Sequence, residues 1–440
     1  MAAQPEKLGM LSVYMDDVLV GSLYDEDPLA FSYDAAWLGR VPGMPLHDTI
    51  PLTEGHIATP QVHAFFENLL PEGDQRKILS LRYHVTSIFG LLAVAGGDTA
   101  GALVLLPHGA RPAKPAYQPM SWQQVDQLIH AESRPDEPEE EEEQGGSWMP
   151  ETRVSISGAQ FKLLLSFDPE GNPLRPLGTA PSTHILKPDM VRGDMKLFAT
   201  AVNETIVMRA AGLCGLPVAR ASYRPEVGAC LIERYDRRPR DDGSLRRLWQ
   251  ADFCQLAGTP STRKYEADGG PSFRECFALL KAHSVRPAVD QRNLLRWLFF
   301  NLYVGNNDSH AKNISMLATD DGLRLAPFYD MMSTRVYPGL GASFSFQIGD
   351  EYVPGKIGPE HLERFAASLE IAPRYLRKTA SEMAQAVIAA IPVAVDEILP
   401  LLGHSEKVLA ERLRDKIGSI AKKTCARLMP SPEGNHPTAS

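Results

Sequence analysis

The chain has 440 residues, with 54 acidic against 45 basic side chains and a formal charge of −9. Apolar residues make up 44% and charged residues 22%, an ordinary globular mix that excludes a collagen, a coiled coil and a wholly disordered chain, and that suggests two or three domains or one large one. The acidic balance argues against a generic nucleic-acid coat, whose footprint is basic.

In chain order, residues 8–33 read as short strands, with a turn at Asp16-Asp17 between Tyr14 and Val18-Leu19-Val20. The stretch 61–70 has helical spacing and stops before Pro71. Residues 88–106 read as a helix, a Gly96-Gly97-Asp98 turn and a buried strand, so that 1–107 forms a mixed α+β domain. A linker is expected over 108–150: residues 107–119 carry four prolines, 121–130 suits a short helix, and 132–143 hold eight acids and one arginine. That acidic run accounts for −7 of the −9. After it, 153–167 and 183–187 alternate like strands, 197–213 is helical, and 219–223 and 229–235 are further strands. From about residue 241 the pattern is helical, with Asp290 as an N-cap before Trp297 to Tyr303, and helices over 359–370, 374–391 and 405–427. The last ten residues, 431–440, read as a disordered tail. The expected fold is α+β: a small β-rich lobe over 151–240 and a large all-helical lobe over 241–430, preceded by the N-terminal α+β subdomain.

Cys214, Cys230, Cys254, Cys276 and Cys425 are odd in number and never form C-x-x-C. They read as reduced thiols rather than disulfides or zinc ligands. The start Met1 to Lys7 lacks a cationic stretch followed by an apolar one. The most apolar helical run, 294–304, is short and interrupted by Arg296. A cytoplasmic protein without membrane contact is therefore expected.

Walker, dinucleotide, nucleophile-elbow and zincin motifs do not occur. The strongest local signal is Asn306-Asn307-Asp308-Ser309-His310-Ala311-Lys312-Asn313, directly after an apolar helix and a Gly305 break. An Asp followed five residues later by an Asn is the spacing of a kinase catalytic loop, in which the Asp orients a hydroxyl nucleophile and the Asn holds Mg²⁺. Asp330, closing Pro327-Phe328-Tyr329-Asp330, suits a second metal ligand. Phosphoryl transfer needs such parts because the protein supplies positioning and charge rather than covalent chemistry. The competing reading is that Asp308 and Asn313 cap turns. Upstream candidates fall in kinase order: Ser155-Ile156-Ser157-Gly158-Ala159-Gln160-Phe161-Lys162 as a phosphate loop, Lys187 at a strand end, Glu204 on the following helix, and Glu233-Arg234-Tyr235-Asp236 as a hinge. Each also has a plain reading, Lys187 as a surface lysine and Glu204 as an exposed helix acid.

Taken together, these pieces resemble the HipA family of serine/threonine kinase toxins over nearly the whole chain. The matching motifs are Asn68-Leu69-Leu70-Pro71, Ser155 to Gln160, Thr183-His184-Ile185-Leu186-Lys187, Glu233 to Arg238, Lys264-Tyr265-Glu266 with Asp268-Gly269-Gly270-Pro271, Asp308 with His310 to Asn313, and Pro327 to Asp330. The resemblance implies a bilobal protein-kinase-like fold with ATP and Mg²⁺ as cofactors. It implies Asp308 as catalytic base, Asn313 and Asp330 as Mg²⁺ ligands, and Lys187 on the ATP phosphates. Ser157, Gly158, Ala159, Gln160, Phe161 and Lys162 would form the phosphate loop. Glu233, Arg234 and Tyr235 would meet adenine, and His310, Ala311, Lys312 and Tyr329 would line the nucleotide pocket. Ser155 matches the family's inactivating autophosphorylation site, with Ser157 in the same loop as an alternative. A phosphoserine there adds roughly 1.5–2 negative charges where ATP phosphates must sit. The implied partners are a HipB-type helix-turn-helix antitoxin, a protein substrate in translation such as glutamyl-tRNA synthetase, and operator DNA only through the antitoxin complex.

Residues 406–427 hold seven Lys/Arg against three acids, which reads as a solvated amphipathic helix or, alternatively, as a DNA-backbone contact. Two other functions compete with the toxin kinase. A small-molecule phosphotransferase shares the Asp and Asn loop logic, and a catalytically silent co-repressor would have no chemical need for Lys187, Asp308, Asn313 and Asp330 together.

Overall fold

A computed structural model describes residues 9–40, 45–132, 160–190 and 197–430. Ser155, Ser157, Gly158 and Ala159, nearly all of the acidic run and the tail 431–440 lie outside the described residues. The fold is mixed α/β, with several sheets and twelve α-helices among the described residues. The chain divides into two compact units. The first comprises Met1–Pro188, Glu226–Arg263 and Ser315–Asp320; the second comprises Asp189–Pro225, Lys264–Ile314 and Asp321–Ser440.

The first unit begins with an antiparallel sheet in the order Ile57–Ala58, Ala30–Tyr33, Val18–Tyr24, Met10–Met15, Leu103–Pro107. Alternation buries Leu11, Val13, Leu23, Phe31 and Val104, each contributing about 1.5–3 kcal/mol. The turn at Asp16 adopts a left-handed φ of 55°. The helix Pro60–Glu67 starts where Thr59 accepts from the Val62 N–H and proline occupies the first turn. It sets Phe66 5.6 Å from Phe31, ring to ring. A second group of strands runs side by side in the order Ala229–Glu233, His184–Pro188, Leu163–Phe167, Pro173–Leu177, Ala116–Pro119.

This last strand corrects the linker expected over 108–150. Ala116–Pro119 pairs antiparallel with Leu174 to Leu177, and the helix Trp122–Glu132 sends Val125 and Ile129 into a core with Leu163, Leu165, Leu186 and Leu231. The prolines do not prevent pairing because this strand ends the sheet's order, where missing N–H groups cost little. The boundary expected at 240/241 also moves: 189–225 belongs to the second unit and 226–263 to the first.

The second unit is dominated by Thr200–Leu213, Phe273–His283, Pro287–Val304, Pro359–Ser368, Pro373–Ile398 and His404–Leu428. The region after 241 is nevertheless not all helical. Leu245–Arg247, Gln250–Asp252 and Ser315–Thr319 are strands in the first unit, and Gly322–Leu325 is one in the second. By length and apolar content alone, Pro373–Leu401 could cross a bilayer, whereas in the sequence only 294–304 comes into question, and it is too short. Its residues Leu376, Ala380, Met383, Val387, Ile391, Ala394 and Ile398 recur at helical spacing and are buried, and the helix packs on Thr200–Leu213, Pro287–Val304 and His404–Leu428. It is a core helix of this unit. Asp290 is not an N-cap either. The helix starts at Pro287, and the buried Asp290 carboxylate receives two bonds from Arg324 (2.9 and 2.8 Å), the Ser284 hydroxyl (2.6 Å) and the Leu325 N–H (3.0 Å). It ties the helix to the strand Gly322–Leu325.

Candidate active site

The loop that carries Asp308 is built from its approach. The helix Pro287–Val304 ends at Gly305, whose φ is +71°. A Cβ there would lie 3.0 Å from Ile420 Cδ1 and 3.2 Å from Arg335 Cβ, so both the turn and the packing require glycine. Asn306 then bonds in two directions: its amide N–H donates to Asn301 Oδ1 (2.8 Å) and its Oδ1 accepts from the Asp308 N–H (3.1 Å). Asn307 donates to Gly341 O (2.8 Å), and its carbonyl accepts from the Ser345 hydroxyl (2.6 Å). A run of polar residues that would suit a mobile loop is thus fully engaged by the fold beneath it.

Within this fixed loop Asp308 remains exposed, with 57% of its side chain accessible. The Tyr265 hydroxyl donates to Asp308 Oδ1, and His310 Nε2 lies 3.9 Å from the same oxygen. His310 itself is buried. Burial first, and then the Lys264 charge, push its pKa well below the ordinary 6.5, so the ring is neutral. Its Nδ1 is buried without a hydrogen-bond partner, an orphaned polar atom at a candidate ligand site. Ala311 and Lys312 are buried beside it.

Asn313 Oδ1 accepts from the His310 N–H (3.0 Å), and its amide donates to Asp330 Oδ2 (3.1 Å). Asp330 holds a left-handed φ of 59°, a conformation that costs a non-glycine residue roughly 1–2 kcal/mol and turns its carboxylate toward Asn313. The Tyr329 hydroxyl, donating to Lys312 O at 2.6 Å, pins the two segments together. The second unit therefore brings together Asp308, His310, Ala311, Lys312, Asn313, Tyr329 and Asp330. For Mg²⁺, the donor set fits. An acid and an amide supply hard oxygens, the amide oxygen retains a lone pair beyond the His310 bond, and Mg²⁺ commonly takes only one or two side chains beside phosphate oxygens.

The upstream candidates lie in the first unit. Lys187 sits on the strand His184–Pro188 opposite Cys230 and is only 3% accessible, so it is not a surface lysine. Gln160 donates to Pro188 O (3.1 Å), Phe161 belongs to the sheet core, and Lys162 is buried. Glu204, in the second unit, is buried rather than an exposed helix acid. Glu233 ends its strand exposed.

The hinge motif holds a surprise in Arg234. Its guanidinium donates to both Asp236 oxygens (3.0 and 2.7 Å), to Ser182 Oγ (3.0 Å) and to Thr99 O (2.7 Å). Arg237 donates to Asp98 at 2.8 Å, and Arg247 to Thr179 O at 2.7 Å. The Asp98 side chain, with no exposed surface, sits among all three arginines. Burial, followed by repulsion from Arg234, pushes Arg237 down to about 10. The Arg234 side chain is thus committed to a buried ion network, leaving only its backbone for any ligand. Tyr235 is largely buried, its hydroxyl near Ser315 and Gln250.

The model of the HipA-like C-terminal domain matches residues 154–391, and that of the HipA N-terminal domain matches 11–106. The chain belongs to the HipA family. A Sinorhizobium fredii protein named as a kinase, Y4mE, is 32% identical over 94% of this chain and 98% of its own length. The serine/threonine-protein kinase toxin HipA of Shewanella oneidensis is 31% identical over 89% of this chain and 90% of its own. Among solved structures, the Shewanella oneidensis complex of HipA, HipB and its operator DNA contains a chain that superposes with a TM-score of 0.79 at 28% identity, covering 95% of this chain and 97% of that one. Reading the sequence for this HipA-family site missed the Tyr265 contact and the Asn306 anchor. Tyr265 stood in a motif noted only for its resemblance, and its partner lies 43 residues away, a separation that no local spacing reports.

Proposed function

We propose that this HipA-family chain is an ATP-dependent serine/threonine protein kinase that acts as a toxin. The observation that carries the reading is the cluster of exposed Asp308 with Asn313 and Asp330 in hydrogen-bond contact. In this reading Asp308 accepts the proton of a protein hydroxyl as it attacks the γ-phosphorus, and the ATP γ-phosphate passes to that oxygen while ADP leaves. Asn313 and Asp330 would hold Mg²⁺, which would supply positive charge to neutralise the phosphates. Lys187 and the loop 157–162 contact phosphates, and 233–235 offer backbone groups to adenine. In this reading the two lobes of a protein kinase would follow the structural units, with 226–263 counted with the sheet-bearing one and 189–225 with the helical one. Neutral His310, with Ala311, Lys312 and Tyr329, lines the nucleotide side of the loop.

Further parts of the proposal are autophosphorylation at Ser155 or Ser157, neutralisation by a HipB-type antitoxin with co-repression of the operon through the antitoxin's DNA contacts, a translation factor as target, and a cytoplasmic location. The relative named a serine/threonine-protein kinase toxin supports the toxin role and the superposable chain of the HipA, HipB and operator DNA complex supports the antitoxin partner; the phosphorylated serine, the target and the location rest on the resemblance alone. Incubation with γ-labelled ATP and Mg²⁺ tests the acceptor class. Label is expected on the chain itself and on a lysate protein. Label confined to a small metabolite would favour a small-molecule phosphotransferase, and no label anywhere would leave a silent co-repressor.

A further inference from the structure

We infer that a cavity in the first unit is a binding site for a small organic anion, an aromatic ring that carries a phosphate or a carboxylate. The cavity has a volume of about 430 Å³, within the range of small-molecule sites. Three separate stretches of the first unit wall it: the turn 15–18 between the first two strands, the short helix Ala35–Leu38 with Arg40 behind it, and residues 246–249 beside the end of the strand Ser315–Thr319. Trp37, Leu248 and Trp249 supply its apolar surface, and each is buried against the fold. No lining residue belongs to the cluster around Asp308, so the site stands apart from the kinase reading.

The charges on the lining divide into those the fold has already paired and those it has not. Arg240 donates to Asp16 at 2.6 Å, Arg247 lies in the Asp98 network, and Asp320 is bonded by Arg238 at 2.6 Å. Arg40, Arg246 and Asp17 are left, and among the described residues none of these three side chains has an ion-pair partner. Arg40 lies instead over the Trp37 ring, with its guanidinium carbon 5.1 Å from the centroid. Two exposed cations against one exposed acid leave the lining net positive, which favours an anion and opposes a cation. Trp249 adds a second observation. It is 5% accessible, and its indole N–H is buried without an acceptor among the described residues, a cost that calls for a partner. An anionic oxygen accepts from guanidinium and indole N–H groups alike, and an aromatic ring suits the surface of Trp37 and Leu248.

The test titrates the full chain with phenyl phosphate and, separately, with benzoate, and follows the indole N–H resonances by NMR, with Trp249→Phe assigning the Trp249 signal. A saturable shift of that signal is expected with at least one of the two anions. Benzyl alcohol, which has the ring without the charge, should leave it in place. The double variant Arg40→Ala, Arg246→Ala should weaken binding on the order of tenfold or more, as loss of hydrogen bonds to a charged group does, and Asp17→Asn should tighten it by removing the opposing charge. The thermal midpoint should stay unchanged in both, since the three side chains are exposed. The absence of a saturable shift with either anion overturns the inference. So does binding that benzyl alcohol reproduces, that the double arginine variant leaves unweakened, or that Asp17→Asn fails to tighten. None of these readings uses phosphate transfer, so failure here and failure of the kinase reading are separately visible.

Discussion

The two units place their clustered polar side chains differently with respect to water. In the first, Asp98, Arg234, Asp236, Arg237 and Arg247 form a network in which acids and guanidiniums face one another and the peptide groups of Thr99, Gly101 and Thr179. In the second, Asp308 remains exposed, Asn313 contacts Asp330, and the buried His310 keeps an unsatisfied nitrogen. This network joins segments far apart in the chain, with one of its own nitrogens, Arg237 Nε, buried without a hydrogen-bond partner. An exposed carboxylate beside a buried polar atom without a partner is the pattern expected of a ligand site. Similar residue types therefore tie distant segments together in one unit and surround an exposed aspartate in the other, and exposure is what distinguishes them.

Substitutions can break this contrast, and the largest effect is expected at Asp308. Asp308→Asn should lower phosphate transfer on the order of a thousandfold, as loss of a general base does, with the thermal midpoint unchanged. Asp98→Ala should do the reverse. It strands three buried arginines and should cost about 3–5 kcal/mol in chemical denaturation, with any loss of activity following the loss of folded protein. Glu67 sharpens the comparison within the first unit. Burial opposes its ionisation, but bonds from the Ser261 hydroxyl and N–H and the charge and bond of Arg76 outweigh it and hold its carboxyl below the ordinary 4.5. Glu67→Gln should cost about 2 kcal/mol at pH 7. Because the folded pKa is lowered, this contribution is fully present above the unfolded value and is lost as pH falls through the folded one. The gap between wild type and variant should therefore close below about pH 4.5 in unfolding titrations. The smallest effect is expected at Gly305→Ala, about 1–2 kcal/mol from the left-handed backbone and crowding against Ile420 and Arg335. Measured beside Asp308→Asn, it shows how far loop geometry alone affects turnover.

Much of this was legible in the sequence. The strands near the N-terminus and the helices expected over 197–213, through 297–303 and over 405–427 follow from periodicity and the glycine break, and the pairing of Asp308 with Asn313 from a five-residue spacing, all of which are local signals. The strand Ala116–Pro119 was hidden because its prolines mimic a linker, and only its place at the end of the sheet makes them harmless. Asp290 looked like a cap because helix caps are commonly acidic, whereas its true partner, Arg324, lies 34 residues on. Arg234 illustrates the same limit. Its neighbours in the chain suggest a nucleotide hinge, yet its side chain answers to Asp98, 136 residues away.

The central claim is that Asp308 is present for phosphate transfer and Asp98 for folding. It is tested most directly by measuring γ-phosphate incorporation from ATP and Mg²⁺ alongside unfolding midpoints for wild type, Asp308→Asn and Asp98→Ala. The account predicts that Asp308→Asn loses incorporation at an unchanged midpoint, while Asp98→Ala loses stability and retains the incorporation of whatever fraction stays folded. Undiminished incorporation by a folded Asp308→Asn protein would contradict it.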